Sequence, residues 1–405
     1  MAMALAVAAA PLLAQSTPDT TRANVRITVP ATLNVGGFIQ TDYRAFADDP
    51  GNRYANDFYL RRLRLDVTGT LSRYIGFRVV PDFAGSKVVV TDAYADLIAG
   101  PALRLRVGKA KVPFSLERAQ PSTTNAFIET GATLAIAPNY DIGAHVLGDL
   151  LGGIVSYDGG VFNGAPDGAS LDDDTDDGKE LAGRLQLTPF ARRTDWLRGL
   201  TFGAGATHEN RAATTAAPQL PTYKTAGQST FLSYLATVTA TGSHDRVAVY
   251  GAEYGGPFSL LGEWVQSKQD FVSTSTATPP VVTAATFTHR AYQVYGTVVL
   301  TGEAASFRGV TPRHGFDPAA GHWGAVELVA RYDEFNADDA TAAPFIDLAR
   351  SATRATSRTI GLNWYLTAKA KIVANYQYTN FTHGAAGGAN RPAERAILTR
   401  LQTVF

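Results

Sequence analysis

Cysteine is absent from the 405 residues, and methionine occurs only twice. Without thiols there is no disulfide framework and no thiolate metal site, so zinc-site spacings are excluded outright. Positive charge is not in excess either, since 36 Lys and Arg face 36 Asp and Glu. Nucleic-acid binding normally rests on such an excess, and no nucleic-acid partner is expected. No run of 18 apolar residues occurs. That excludes membrane-spanning helices but not membrane strands, whose alternation hides from hydropathy. The seven His (His145, His208, His244, His289, His314, His322 and His383) show no i, i+4 metal spacing. "GSHD" at Gly242–Asp245 lists Ser, His and Asp in a row, but adjacent side chains cannot assemble a triad. Neither a P-loop nor a Gly-x-Ser-x-Gly elbow is present, so no enzymatic role, cofactor or metal is expected. An envelope hydrolase is the minor alternative.

What is present begins with "MAMALAVAAAPLLAQS", an apolar run too short to span a bilayer as a helix. It fits the hydrophobic region and small-residue cleavage zone of an export signal over 1–14. The basic n-region is missing, as it would be if the sequence started at an internal Met. A periplasmic segment over 15–31 and a barrel domain over 32–405 follow in this reading. The acidic run "LDDDTDDG" (Leu171–Gly178) lacks the closing Glu of a calcium loop and reads as a solvated loop.

From Leu33 onward, period-two alternation recurs. Leu33, Val35, Ile39 and Tyr43 fall on one face, with Gln40, Asp42 and Arg44 on the other. Leu63, Leu65 and Val67 alternate with Arg62, Arg64 and Asp66, and Leu103, Leu105 and Val107 with Arg104 and Arg106. Ile372, Ala374 and Tyr376 oppose Lys371 and Asn375, and Ile397, Leu401 and Phe405 oppose Arg400 and Gln402. A polar face rich in Arg, with aromatics at strand ends on the apolar face, fits lipid outside and a wet lumen inside.

About sixteen strands can be read, and the gaps between them alternate in length. Short gaps fall at Ser72-Arg73, Ala99–Pro101, Leu151–Gly153, Gly255–Pro257 and Thr367-Ala368. Long gaps fall at 47–55, 111–140, 164–179, 208–245, 270–289, 336–353 and 383–391. The connections 84–87 and 302–321 break the rule. Short periplasmic turns, long extracellular loops and a terminal aromatic suit an all-β transmembrane antiparallel barrel. Unpaired strand edges are too costly in hydrocarbon, so the sheet must close. Sixteen strands leave room for an aqueous channel.

If the apolar face meets lipid, Arg44, Arg62, Arg64, Arg78, Arg104, Arg106, Arg184, Arg331, Lys371 and Arg400 have lumen parity. Rings of Arg and Lys make anion pores, and the planar guanidinium suits oxyanions. Pairing with wall carboxylates is the competing reading for any single Arg, because Asp66, Asp82, Asp92, Asp96 and Glu327 share that face. Strict parity sends Lys109 and Lys111 toward lipid; a bulge there would turn them inward.

Several motifs in order resemble the phosphate-selective porin family, the group related to outer-membrane porins O and P. They include "FYLRRLRLDVTG" (Phe58–Gly69), "DAYADL" (Asp92–Leu97), "VGKAKVPFSLE" (Val107–Glu117) and "DIGAHVLG" (Asp141–Gly148). "YDGGVFNG" (Tyr157–Gly164), "YGGPFSLLGEWV" (Tyr254–Val265), "VLTGEAASF" (Val299–Phe307), "GAVELVARYDEF" (Gly324–Phe335), "TIGLNWYLT" (Thr359–Thr367) and the terminal "RLQTVF" complete the series. The resemblance runs from about Gly36 to Phe405. It implies a sixteen-stranded outer-membrane trimer that takes up anions passively, with the third long loop, 111–140, folded into the lumen. It also implies a cationic passage, for which Arg61, Arg62, Arg64, Lys109, Lys111 and Arg118 are the matching positions. Where many members carry Arg, this chain has Thr130 and Tyr140, which weakens the expectation of strict phosphate selectivity.

The reading is a passive anion-preferring channel of a Gram-negative-type outer membrane, in contact with lipid and lipopolysaccharide, for small inorganic anions of the phosphate class. The alternatives are a nonselective diffusion porin, a channel for another small solute, and an adhesive envelope protein using loops 208–245 and 270–289.

Overall fold

The structure is a computed structural model that describes residues 32–47, 54–174, 176–338 and 340–405. The expected export signal (1–14) and the segment 15–31 lie outside the described residues, as does part of the first long loop. The barrel strands are β1 (Thr32–Phe46), β2 (Asp57–Ser72), β3 (Ile75–Asp82), β4 (Val89–Gly100), β5 (Leu103–Lys111), β6 (Tyr140–Leu150), β7 (Val155–Phe162), β8 (Glu180–Leu187) and β9 (Thr201–Ala212). A small hairpin, β10 (Thr222–Lys224) and β11 (Thr230–Ser233), interrupts the series. The barrel resumes with β12 (Val238–Gly255), β13 (Phe258–Thr274), β14 (Val282–Val299), β15 (Ala325–Asn336), β16 (Ala352–Thr367), β17 (Ala370–His383) and β18 (Glu394–Val404).

These sixteen strands form one closed sheet. β1 seals it by pairing antiparallel with β18, with Gln40 opposite Gln402 and Asp42 opposite Arg400. Closure satisfies the backbone groups that hydrocarbon cannot solvate. The two faces separate as the alternation requires. In β1, Leu33 and Val35 are 66% and 62% exposed, whereas Gln40 and Asp42 are buried. Apolar outside and polar inside inverts a soluble core and marks the outer surface as lipid-facing.

The expected anomalies stand, with β3 and β4 joined by a short 83–88 and β14 and β15 by a long 300–324. A third was not legible, because β8 and β9 are joined on the periplasmic side by 188–200, carrying a short helical turn at Trp196–Gly199. Two expected loops are shorter than the sequence indicated. Strands β13 and β14 pair as far as Thr274 opposite Val282, leaving only 275–281 outside the sheet. The 208–245 gap shrinks to 213–237.

Three segments fill much of the lumen. Residues 112–139 begin with the four-residue helix α1 (Leu116–Ala119), capped by Ser115 Oγ, and then cross the interior. Gln40 and Gln402 hold the carbonyls of Ser122 and Thr123, and Lys371 and Asn363 hold those of Asn125 and Ala126. Asn375 accepts from the Ile128 N–H, and Glu263 accepts from that of Leu116. The second is the 213–237 segment, whose Tyr223, Phe231 and Leu232 are buried against Phe335 and Phe381 of the wall and Leu134 and Ile136 of the crossing loop. The third is 300–324, which rises from the periplasmic end. Its Phe307 carbonyl accepts from Gln120 Nε2 (2.9 Å) and Thr124 Oγ1 (3.2 Å).

Candidate functional site: the lumen constriction

Alternation alone admits only one of Arg61 and Arg62 to the lumen. The β1–β2 register resolves this, since Gln40 pairs with Arg62 but Thr41 pairs with Leu60, leaving Arg61 as the extra residue of a β-bulge. A bulge puts neighbours on the same face. Arg62 donates to Gln40 Oε1 (2.8 Å), and Arg61 makes a two-pronged contact with Glu129 of the crossing loop (2.6 and 3.1 Å). The doublet "RR" was the sequence signal; its bulge was not.

The bulge expected at Lys109–Lys111 is not there. The register of β5 is unbroken with β4 from Arg104 to Lys109 and with β6 from Arg104 to Lys111. Gly108, at φ 129°, turns the strand instead. A Cβ there would stand 2.2 Å from the Ala93 carbonyl oxygen, so only glycine fits. Beyond it, Lys111 Nζ donates to the Gln120 carbonyl (2.7 Å) and lies 6.0 Å from the Tyr140 ring. Lys109 is directed elsewhere, to Asp172 in the next extracellular loop.

The other nominated cations except Arg184 divide into two groups. The first is paired with carboxylates. Arg44 meets Asp57 (2.5 Å), Arg64 meets Asp82 (2.8 Å), Arg78 meets Asp66 (2.7 Å), Arg331 meets Asp333 (3.0 Å), and Arg104 and Arg106 share Asp96 (3.4 and 2.8 Å). Arg400 is buried in a two-pronged contact with Asp42, both bonds 2.7 Å, and lies 3.7 Å from Glu129. The second group rests on neutral oxygens. Arg62 has Gln40; Lys111 has the Gln120 carbonyl; Lys371 has the Asn125 carbonyl (3.0 Å); Arg118 has Asn139 Oδ1 (2.9 Å) and the Leu134 carbonyl (3.2 Å). Burial brings the Arg118 guanidinium down to about 10, so it remains charged at neutral pH. Among the described residues none of these four has a carboxylate within ion-pair distance, and all four touch the crossing loop or its anchors.

Two acids on that loop behave oppositely. Burial pushes Glu129 up, but the Arg61 charge and its hydrogen bonds prevail and hold it at about 2. Glu117 is raised to about 7, by burial first and by neighbouring Glu263, against the pull of Arg331. Gln293 Nε2 bridges the two carboxylates, at 2.6 Å from Glu117 and 3.3 Å from Glu263. The loop returns there: the Gly131 N–H and Thr133 hydroxyl donate to the same pair. This polar knot pins both ends of the constriction to β13 and β14.

"GSHD" separates in space, with His244 buried in the lumen face and Asp245 bonded to exposed His208. His244 does sit 3.0 Å from Ser267 Oγ and 2.9 Å from Glu209. All three are buried, and Asp167 competes for the same imidazole nitrogen at 3.2 Å. With Arg246 on Asp167 and Glu180 (2.7 and 2.6 Å), this network fastens the extracellular segment around Asp167 to the wall.

A closed sixteen-strand barrel with a lipid-facing belt and an inward loop facing wall cations is an outer-membrane porin. The chain belongs to the phosphate-selective porin O and P family, whose model matches residues 33–405. No curated protein matches the chain. Among solved structures it resembles an anion-selective porin from Comamonas acidovorans (12% identity, 93% of this chain and 100% of that one, TM-score 0.56). It also resembles the outer membrane channel DcaP of Acinetobacter baumannii (12%, 93% and 97%, TM-score 0.56) and the trimer form of OmpT, an outer membrane protein of Vibrio cholerae (12%, 93% and 99%, TM-score 0.54). At such identities the likeness is one of fold.

Proposed function

We propose that this outer-membrane channel prefers anions, with oxyanions of the phosphate and polyphosphate class as its cargo. The observation that carries the reading is the set of cations without carboxylate partners around the constriction: Arg62, Lys111, Arg118 and Lys371. Paired guanidiniums largely cancel in the field that a passing ion meets, whereas cations on neutral oxygens keep their charge available to it. The anion-selective porin of Comamonas acidovorans shares the fold and is consistent with this preference. In the same reading, residues 1–14 direct export, 15–31 lie in the periplasm, and the barrel works as a homotrimer against lipid and lipopolysaccharide.

A milder, general anion diffusion is the second reading. Seven nominated arginines are tied to Asp, and Thr130 and Tyr140 stand where a dedicated filter would gain from cations. Titrating phosphate into chloride and recording single-channel current separates the two. Saturable block supports a phosphate site, and current that merely tracks ion mobility leaves general diffusion. The adhesive alternative fares worse, because the apolar side chains of 213–237 are buried in the barrel mouth. Absence of conductance from a purified, folded barrel would revive it.

A further inference from the structure

Two chambers lie side by side between the constriction loop and the periplasmic strand ends. The first, about 590 Å³, is walled by Arg64, Arg78, Arg106 and Lys111 and reaches Asn34 and Phe405. The second, about 1090 Å³, is bounded by Leu116 and Ala119 of α1 and by Ala304–Phe307 of the periplasmic connection. Aromatics dominate one side of it. Tyr254 and Phe307 meet edge-on with ring centroids 6.1 Å apart, and Trp196 beside them is 66% exposed.

Arg184 lines both chambers. Its cross-strand neighbour Asp158 is taken by His145 Nδ1 at 2.5 Å. Among the described residues Arg184 has no ion-pair partner. Arg104, which also lines the second chamber, shares Asp96 with Arg106. Where the two chambers adjoin, a guanidinium with no carboxylate partner among the described residues therefore stands in a cavity that has an aromatic wall. A small inorganic ion gains nothing from that wall. A molecule with an anionic head and a flat ring uses both, because the ring buries apolar area against aromatics and the head takes the planar guanidinium fork.

We propose that the second chamber is a subsite for organic anions carrying a planar ring, typified by aryl phosphates, with the head on Arg184 and the ring against Tyr254 and Phe307. The proposal rests on the reading that the constriction favours anions, and adds a class of cargo to it.

The test uses the full-length channel in planar bilayers, with phenyl phosphate, inorganic phosphate and phenol each titrated against the chloride current. One added aromatic contact supports about a tenfold lower half-blocking concentration for phenyl phosphate than for inorganic phosphate. Phenol is expected not to block over that range. Phe307→Leu and Tyr254→Leu keep apolar bulk but remove a ring, and each is expected to bring the ratio of the two half-blocking concentrations toward one. An intact folded band on an unheated gel confirms each barrel. Arg184→Gln is expected to weaken block by phenyl phosphate severalfold. Equal block by phenyl and inorganic phosphate, equal block by phenol, or a ratio indifferent to both ring substitutions overturns the proposal. Anion preference itself is judged separately, by the zero-current potential of the same membranes, so the two ideas can fail independently.

Discussion

Glu129→Gln should make the channel more anion-selective, and the structure sets the size of the effect. Around Glu129 stand Arg61, Arg62 and Arg400, with Asp42 the other acid. Three positive charges against two negative leave one positive; losing Glu129 leaves two. Because Glu129 is held at about 2, it is fully ionised at neutral pH and the substitution removes a whole charge. For an anion passing about 6 Å away at an effective dielectric of about 20, one unit charge is worth about 2.8 kcal/mol. Screening with a Debye length of about 10 Å at 0.1 M roughly halves this, to about 1.5 kcal/mol. Chloride permeability should then rise by up to about tenfold at 0.1 M, and only about twofold at 1 M, where the Debye length is about 3 Å, and the chloride-to-potassium permeability ratio rises with it. The glutamine carbonyl can still accept from Arg61, and Arg331 keeps its bond to the residue 129 backbone carbonyl (3.0 Å), so the loop should hold its place. Zero-current potentials in potassium chloride gradients at both concentrations read the ratio. An unchanged ratio at 0.1 M, or an equal change at both salts, would refute the electrostatic reasoning.

Reversing a cation should do the opposite: Lys111→Glu and Arg62→Glu are each expected to lower the same ratio severalfold at 0.1 M, and if neither does, the passage runs elsewhere. Glu117 predicts a pH dependence of stability. Its folded value of about 7 lies above the ordinary 4.5, so its contribution is complete below about 4.5 and lost as pH rises through 7. Heat denaturation should therefore shift downward between pH 6 and 8, and Glu117→Gln should flatten that slope; a slope the variant leaves intact belongs to another group. Phe231→Ala removes a buried ring from the 213–237 plug, at a cost of about 3–5 kcal/mol to its packing. Larger or noisier single-channel currents are expected, and currents identical to wild type would mean that the plug does not lie in the path.

The wall was legible because a strand declares its two faces every second residue, and Leu33, Val35, Gln40 and Asp42 do so without exception. Residues that depart from this rule were not legible. Nothing in "LRRLR" shows that Arg61 is the extra residue of a bulge, since a register is a relation between two strands. The reversal of Lys111 depends on the backbone of Gly108, whereas alternation offered only lipid or a bulge. The hairpin around Tyr223 and Phe231 was hidden because a few apolar residues within a loop of Thr, Ala and Pro carry no periodicity. Carboxylate partners were legible where they sit directly across the sheet, as with Asp42 and Arg400. They were hidden where a loop supplies them, as Glu129 does for Arg61.

The proposed anion preference rests on the uncompensated cations at the constriction. The zero-current potential of the purified channel in a bilayer across a tenfold gradient of potassium chloride tests it most directly. The expected potential has the sign of chloride crossing faster than potassium, and it is reduced when Arg62 and Lys111 are both replaced by Gln. A potential near zero, or one of the opposite sign, contradicts it.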